Sequence, residues 1–322
     1  PGVANELFSD NPADGAEYQG FQFKITGQPA DGDTFEINYN SNGVSDNRNA
    51  ELLAALGTAN TLNGGSQNFS EGYAGLVEDL IAFMDLNGID RTILIQCMYH
   101  GYDNRYMCHC LERFPDRLHG VALIDPLKLG AAEKLERLHK DYGVQGMRLY
   151  PIKDADASWQ SSDEQNALWE TARKLGVPFI WFGRCDQIPL LEPMLQRFPD
   201  VNIIVDHLGE PVLSEGLEGS FKILLGLAKY SNVYIKATRI DGISNQPWPH
   251  EDVHPFVKAV YESFGAERML GCTGFPEDPQ RGEAVGFRVM EEALYFLCEE
   301  DKVWILGKTA ESLYDRPAGS IG

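Results

Sequence analysis

Histidine, cysteine, tryptophan and methionine are all absent from the first 76 residues of this 322-residue chain, whose remainder holds all 7 His, 6 Cys, 5 Trp and 7 Met. Basic residues are scarce there too, Lys24 and Arg48 standing against 10 acidic groups. That stretch therefore supplies no imidazole or thiolate metal ligand and no basic footprint. Positive charge is short in the whole chain, with 27 Lys plus Arg, 48 Asp plus Glu and a formal net charge of −21. Such a balance argues against nucleic acid as the main partner and against an anionic membrane surface. No apolar run approaches the ~20 residues of a membrane span. C-x-x-C pairs are missing, as are a strand-following G-x-G-x-x-G and a G-x-x-x-x-G-K-[ST] loop, so nucleotide-binding folds lose support.

What is present is a hydrophobic fraction of 43% with 11% aromatics, enough for a sizeable core. The first 76 residues carry 10 Asn and 11 Gly, so two sequence populations meet near residue 76. Cys97, Cys108, Cys110, Cys185, Cys272 and Cys298 are too few for a disulfide framework in a chain this long. They read as mostly reduced, buried thiols of a cytoplasmic protein.

Within residues 1–76, Phe21–Thr26 and Thr34–Tyr39 alternate apolar and polar around a Pro/Asp-Gly turn, which predicts a β-hairpin. A helix is expected over Asn49–Ala59 and a linker over Thr61–Ser70. Tyr73, Leu76, Val77, Leu80, Ile81 and Met84 then form one face of an amphipathic helix, with Ser70 as N-cap and Gly88 as stop. This helix crosses the compositional break without losing phase.

Beyond it, short apolar runs alternate with amphipathic helices. The predicted strands are Thr92–Cys97, Gly120–Ile124, Gly146–Tyr150, Pro178–Phe182, Asn202–Asp206, Val233–Ala237 and Met269–Cys272. Helices are expected over Asn104–Phe114, Ala131–Tyr142, Ser162–Leu175, Pro189–Phe198, His254–Phe264 and Glu283–Glu299. Apolar strands between helices imply a parallel sheet covered on both faces, either doubly wound or closed as a (β/α)8 barrel. The ~250 residues of a typical barrel fit the span from 77 to 322. Seven strands are visible where eight are expected.

Barrel chemistry gathers at the C-terminal ends of strands. Those ends carry His100, Asp125, Arg148 and Tyr150, then Trp181, Arg184 and Asp186, then Asp206 and His207, then Lys236 and Arg239, and last Thr273 and Gly274. Four cations thus converge on one rim. Either they hold a small anion such as a carboxylate through Arg forks, or they pair with Asp125, Asp206, Asp241 or Glu210.

Ala30–Leu56 (ADGDTFEINYNSNGVSDNRNAELLAAL) and Thr61–Val77 (TLNGGSQNFSEGYAGLV) resemble the C-terminal part of flagellar hook-associated proteins. Residues from about 78 to 315 resemble the amidohydrolase-related family of metal-dependent TIM-barrel hydrolases and decarboxylases. The motifs that carry this second likeness include Leu80–Gln96, RFPDRLHGVALIDP (Arg113–Pro126), GVQGMRLYP (Gly143–Pro151), Leu191–Pro211 with its DHLG, VYIKAT (Val233–Thr238), GAERMLGCTGFP (Gly265–Pro276) and Ile305–Asp315.

The second resemblance implies a divalent metal, zinc above all. It also implies His-x-His on the first strand, yet residues 1–80 hold no His. The fifth-strand His position falls on Phe182 and the eighth-strand Asp on Gly274, leaving only the sixth-strand His, as His207. The family's usual metal ligands are therefore largely absent, and no metal ligand is assigned. His100, His109, His250 and His254 are the candidates for a different site.

The expected fold is a TIM-type barrel over 77–322 whose first strand is missing or replaced, preceded by a small β-hairpin and helix segment over 1–76. An open seam would leave unpaired strand edges, so a segment of 1–76, a second copy or another partner chain is expected to cover it. His207 is the catalytic candidate. Arg148, Tyr150, Trp181, Arg184, Lys236 and Arg239 are the substrate-binding candidates, with Phe182 and Trp248 as further apolar walls. The expected activity is hydrolysis of an amide, ester or lactone in a small carboxylated substrate. Decarboxylation by the same family, or a non-catalytic barrel, is the alternative.

Overall fold

In a computed structural model of the chain, residues 5–6, 24–25, 69–154, 156–273, 275 and 285–314 are described. The chain divides into two compact units, Pro1–Phe69 and Ser70–Gly322. In the first unit, β1 (Asn5–Glu6) pairs antiparallel with β2 (Lys24–Ile25). The remainder of the predicted hairpin, the helix over Asn49–Ala59 and most of the linker lie outside the described residues.

The second unit opens with the 18-residue helix α1 (Phe69–Leu86), which ends just ahead of Gly88. Val77, Leu80 and Met84 are buried as their spacing predicts, but Leu76 is exposed and Phe83 is buried in its stead. Seven strands follow: β3 (Thr92–Ile95), β4 (Leu118–Leu123), β5 (Met147–Leu149), β6 (Phe179–Trp181), β7 (Ile203–Val205), β8 (Val233–Lys236) and β9 (Met269–Leu270). All pair in parallel, each with its sequence neighbour, so their spatial order is their chain order. This is an open (β/α) barrel, and among the described residues β3 and β9 are its two edges.

The longer connecting helices are α2 (Arg105–Arg113), α3 (Ala131–Tyr142), α4 (Asn166–Leu175) and α5 (Ile188–Arg197). They are followed by α6 (Phe221–Leu225), α7 (Ile240–Ile243), α8 (His254–Phe264), α9 (Val285–Arg288), α10 (Glu299–Val303) and α11 (Thr309–Tyr314). The helix expected over Glu283–Glu299 is interrupted. Buried Leu294 leaves helical geometry, and the chain restarts at Cys298, whose backbone N–H and thiol both reach Asp301. Helices α3 and α4 both end on a left-handed glycine followed by a buried valine (Gly143–Val144, Gly176–Val177). A residue with a Cβ would be strained at that φ, and the valine returns the chain to the core and into the next strand. Among the described residues no helix is long and apolar enough to cross a membrane.

Strand parity sorts the side chains into two layers. Met147, Leu149, Phe179, Trp181, Ile203, Val205, Val233 and Ile235 face the helices and join the large outer core. Val121, Ile180, Ile204 and Leu270 face the interior, with Ile93, Ile95 and Tyr234 packed against them. The lower interior is completed by α11, whose Ala310, Leu313 and Tyr314 lie on one helical face and join the same cluster. Glu311 on that helix pairs with Arg91, next to β3, at 3.5 Å. The C-terminal helix therefore reaches from the last strand toward the first and fills interior space at the seam.

Candidate active site

Toward the C-terminal ends of β5, β7 and β8, the inward positions become charged. Arg148 of β5 faces inward between Met147 and Leu149, which face out. Its guanidinium donates two bonds to Oδ2 of Asp206, from Nε at 3.0 Å and from Nη2 at 2.5 Å. Lys236, at the end of β8, places Nζ 2.9 Å from the other carboxylate oxygen. Register explains the meeting: Arg148 aligns with Ile180 and Ile180 with Ile204, so Asp206 is one inward step above Ile204.

Asp206 is completely buried. Burial alone would raise its pKa, but Lys236 and Arg148 outweigh this and hold the carboxyl well below the usual range. Two cations on one carboxylate leave this buried trio with a net charge of +1.

His207 follows directly. Its backbone begins a run of four positive φ angles: His207 at 51°, Leu208 at 56°, Gly209 at 68° and Glu210 at 49°. Such a left-handed turn is costly outside glycine and points to a site that needs the resulting placement. The imidazole Nδ1 is 2.7 Å from Oγ1 of Thr238. Its ring meets Phe182 edge-on at 5.1 Å. Burial pushes the imidazole down to about 4, against the opposing pull of Asp206, so it is neutral near pH 7.

Phe182 is the shared platform of the site. Arg148 lies over its ring at 4.4 Å, and Tyr150 packs edge-on against it at 5.0 Å. Arg148 also lies 5.4 Å from the Tyr150 ring centre. One layer below, the fully buried Tyr314 hydroxyl makes no hydrogen bond among the described residues. Burial and then the charge of Asp206 push its pKa far above the ordinary tyrosine range.

The expected residues divide accordingly. His207, Arg148, Tyr150 and Lys236 come together around Asp206 and Phe182. Trp181 does not join them: its parity is opposite to that of Phe182, and it is fully buried in the outer layer. Its Nε1 donates to Gln160 Oε1, and its ring occupies the space where a side chain at Gly183 would begin. Arg184 bonds the Ile152 carbonyl at 2.7 Å and Asp186 at 3.1 Å, so it ties the loops after β5 and β6 together. Arg239 pairs with Glu210 at 3.0 Å. Trp248 is exposed and covered by Arg288, with the guanidinium 4.7 Å from the ring. All four rim cations thus have acidic partners within the protein, and Arg148 and Lys236 share one between them.

Among the described residues, no three His, Cys, Asp or Glu side chains are grouped to hold a metal ion. His207 has Phe182 and Thr238 beside it rather than further ligands. His250 and His254 turn to the carbonyls of Gln246 and Pro249. These donors do not fit the family's metal centre, and no step is derived through one. The Gly274 position lies outside the described residues. None of the six cysteines is joined in a disulfide. Burial pushes Cys108 up to about 11 and Cys185 up to about 12, which makes both poor nucleophiles.

The expected pairing of rim cations with acidic groups holds at Asp206 and Glu210, while the places of Thr238 and Tyr314 had no sequence signal. Period-two parity counted from Arg148 would have favoured Phe182 over Trp181.

A family model described as amidohydrolase matches residues 59–316. The chain belongs to the amidohydrolase family. The match takes in Thr61–Val77, so the family model claims that stretch, and the expected likeness to flagellar hook-associated proteins is not supported. Among curated amidohydrolase relatives, a 4-sulfomuconolactone hydrolase of Rhizobium radiobacter is 32% identical over 219 residues, covering 64% of this chain and 69% of the relative. An L-fucono-1,5-lactonase of Burkholderia ambifaria is 24% identical over 203 residues, covering 62% of this chain and 69% of the relative. Among solved structures, a probable 2-pyrone-4,6-dicarboxylic acid hydrolase from Acinetobacter baumannii, with citric acid bound, superposes with a TM-score of 0.66 at 16% identity. That superposition covers 81% of this chain and 95% of the other.

Proposed function

We propose that this amidohydrolase hydrolyses the lactone ring of a small carboxylated substrate at the mouth of the barrel. The observation that carries the reading is the buried trio Arg148–Asp206–Lys236, with one positive charge in excess, beside a neutral imidazole. A substrate carboxylate or a developing oxyanion is stabilised by that excess charge. The ring-opening relatives support the lactone over the amide.

The roles follow from the geometry. With Nδ1–H donating to Thr238 Oγ1, Nε2 of His207 is left as an acceptor for a proton from water. The water oxygen bonds to the lactone carbonyl carbon, and the ring C–O bond then breaks. The leaving oxygen takes up a proton, giving a hydroxy acid. Arg148 and Lys236, fixed by Asp206, stabilise negative charge without having to move. Phe182 packs edge-on against the imidazole and, with Tyr150 packed on it, holds the ring and the Arg148 guanidinium in place.

The test is acid release from carboxylated lactones followed by pH-stat, with CO2 measured in parallel. Acid without CO2 is expected, and His207→Gln should lower kcat by about 10²–10⁴-fold. CO2 release would favour decarboxylation instead. Acid release no faster than buffer, or unchanged by His207→Gln, would sink the proposal.

A further inference from the structure

A second concavity opens beside the mouth, between the C-terminal ends of β4 and β5. It has an empty volume of about 380 Å³ and is walled by Tyr102, Tyr150 and Trp159, with the carboxylates of Asp125 and Asp154. Tyr150 belongs to both regions: it lines this cavity and also packs on Phe182 beneath Arg148. Tyr150 is thus a wall common to the cavity and to the site proposed for catalysis.

Its chemistry is opposite to that of the mouth, since its lining contains two acidic side chains and no Lys or Arg. Both carboxylates are held in place. Asp154 accepts the Trp159 indole N–H at 2.8 Å and the Asp156 backbone N–H at 3.1 Å. Asp125 accepts the Leu127 backbone N–H at 3.1 Å. Each carboxylate has about four acceptor positions, so lone pairs remain on both. Tyr102 and Asp125 line the cavity together, and burial followed by the Asp125 charge raises the pKa of the Tyr102 phenol.

Fixed acceptors beside aromatic faces suit a ring that carries several O–H donors. A second anionic group would meet two carboxylates there instead of a cation. We propose that this cavity is the specificity subsite of the enzyme and takes the neutral, polyhydroxylated part of a sugar-acid lactone while rejecting a second carboxylate or sulfonate. The proposal rests on the lactonase reading above, with the single substrate carboxylate held at Arg148 and Lys236.

Calorimetric titration with three non-reacting probes separates the two ideas. D-gluconate has one carboxylate and a chain of hydroxyls, glutarate has two carboxylates and no hydroxyl, and D-glucitol has hydroxyls alone. Gluconate is expected to bind at least tenfold more tightly than either of the others. Asp125→Asn and Asp154→Asn, each checked for an unchanged thermal midpoint, should cut the preference over glutarate to threefold or less. Equal binding of gluconate and glutarate, both tighter than glucitol, would overturn the subsite and leave the anion site standing. Glucitol binding as well as gluconate, or no binding by any probe, would overturn the anion site and the subsite with it. Tighter binding of ethanolamine than of gluconate would mark the cavity as a cation site and overturn the proposal.

Discussion

The same strands build two interior layers that differ in kind. One, with Val121, Ile180, Ile204 and Leu270 closed by Leu313 and Tyr314, is built mainly of apolar side chains. The other is charged: Arg148 stands level with Ile180 and Ile204 by register, and Asp206 and Lys236 lie one inward step further along their own strands than Ile204 and Tyr234. Ile204 and Asp206 are separated by about 7 Å of strand. On β7, apolar packing and charge are thus a single step of the pleat apart.

The sharpest way to break this comparison is Asp206→Ala. It strands two buried cations, and urea unfolding should show a loss of about 3–5 kcal/mol. A loss below 1 kcal/mol would mean that the trio is not held as described. In the apolar layer, Ile204→Ala should cost about 2–5 kcal/mol through the cavity it leaves. Gluconate affinity in that variant should stay within about twofold, because no group in the charged layer is altered. A tenfold drop would show that the layers are coupled.

The smallest effect concerns pH. His207 is driven down to about 4 in the folded protein from an ordinary value near 6.5. Between those values the unfolded chain binds the proton that the folded chain refuses, so stability rises with pH. The contribution is complete above about pH 6.5 and is lost as pH falls toward about 4, amounting to at most ~3 kcal/mol. Urea midpoints at pH 7 and pH 4.5 measure it, and His207→Gln should flatten the slope. The Asp206 contribution is lost only at still lower pH, below the ordinary carboxylate range, so the two are separable.

The sequence made the strands legible because buried parallel strands are short apolar runs. It placed helices such as Ala131–Tyr142 and His254–Phe264 to the residue because their ends carry glycine. Side-chain partners were less legible, for a physical reason. The pairing of Arg148 and Lys236 with Asp206 depends on registers between strands far apart in the chain, which local patterning does not encode. Trp181 lies at a strand end, but its parity turns it to the outer core, which its position in the run alone does not reveal. Tyr314 gave no local signal at all: its burial follows from α11 entering at the seam between β9 and β3.

That entry has a consequence for synthesis. The seven strands leave the ribosome in their spatial order, so each can pair with the strand just before it. Thr309 follows Leu270 by 39 residues, roughly 2–8 s of translation. For that interval the inward faces of β3 and β9 are made but lack the helix that packs against them. The nascent chain then presents its lower interior as a sticky surface, and chaperone demand should peak between the emergence of the last strand and the arrival of the helix that finishes the interior.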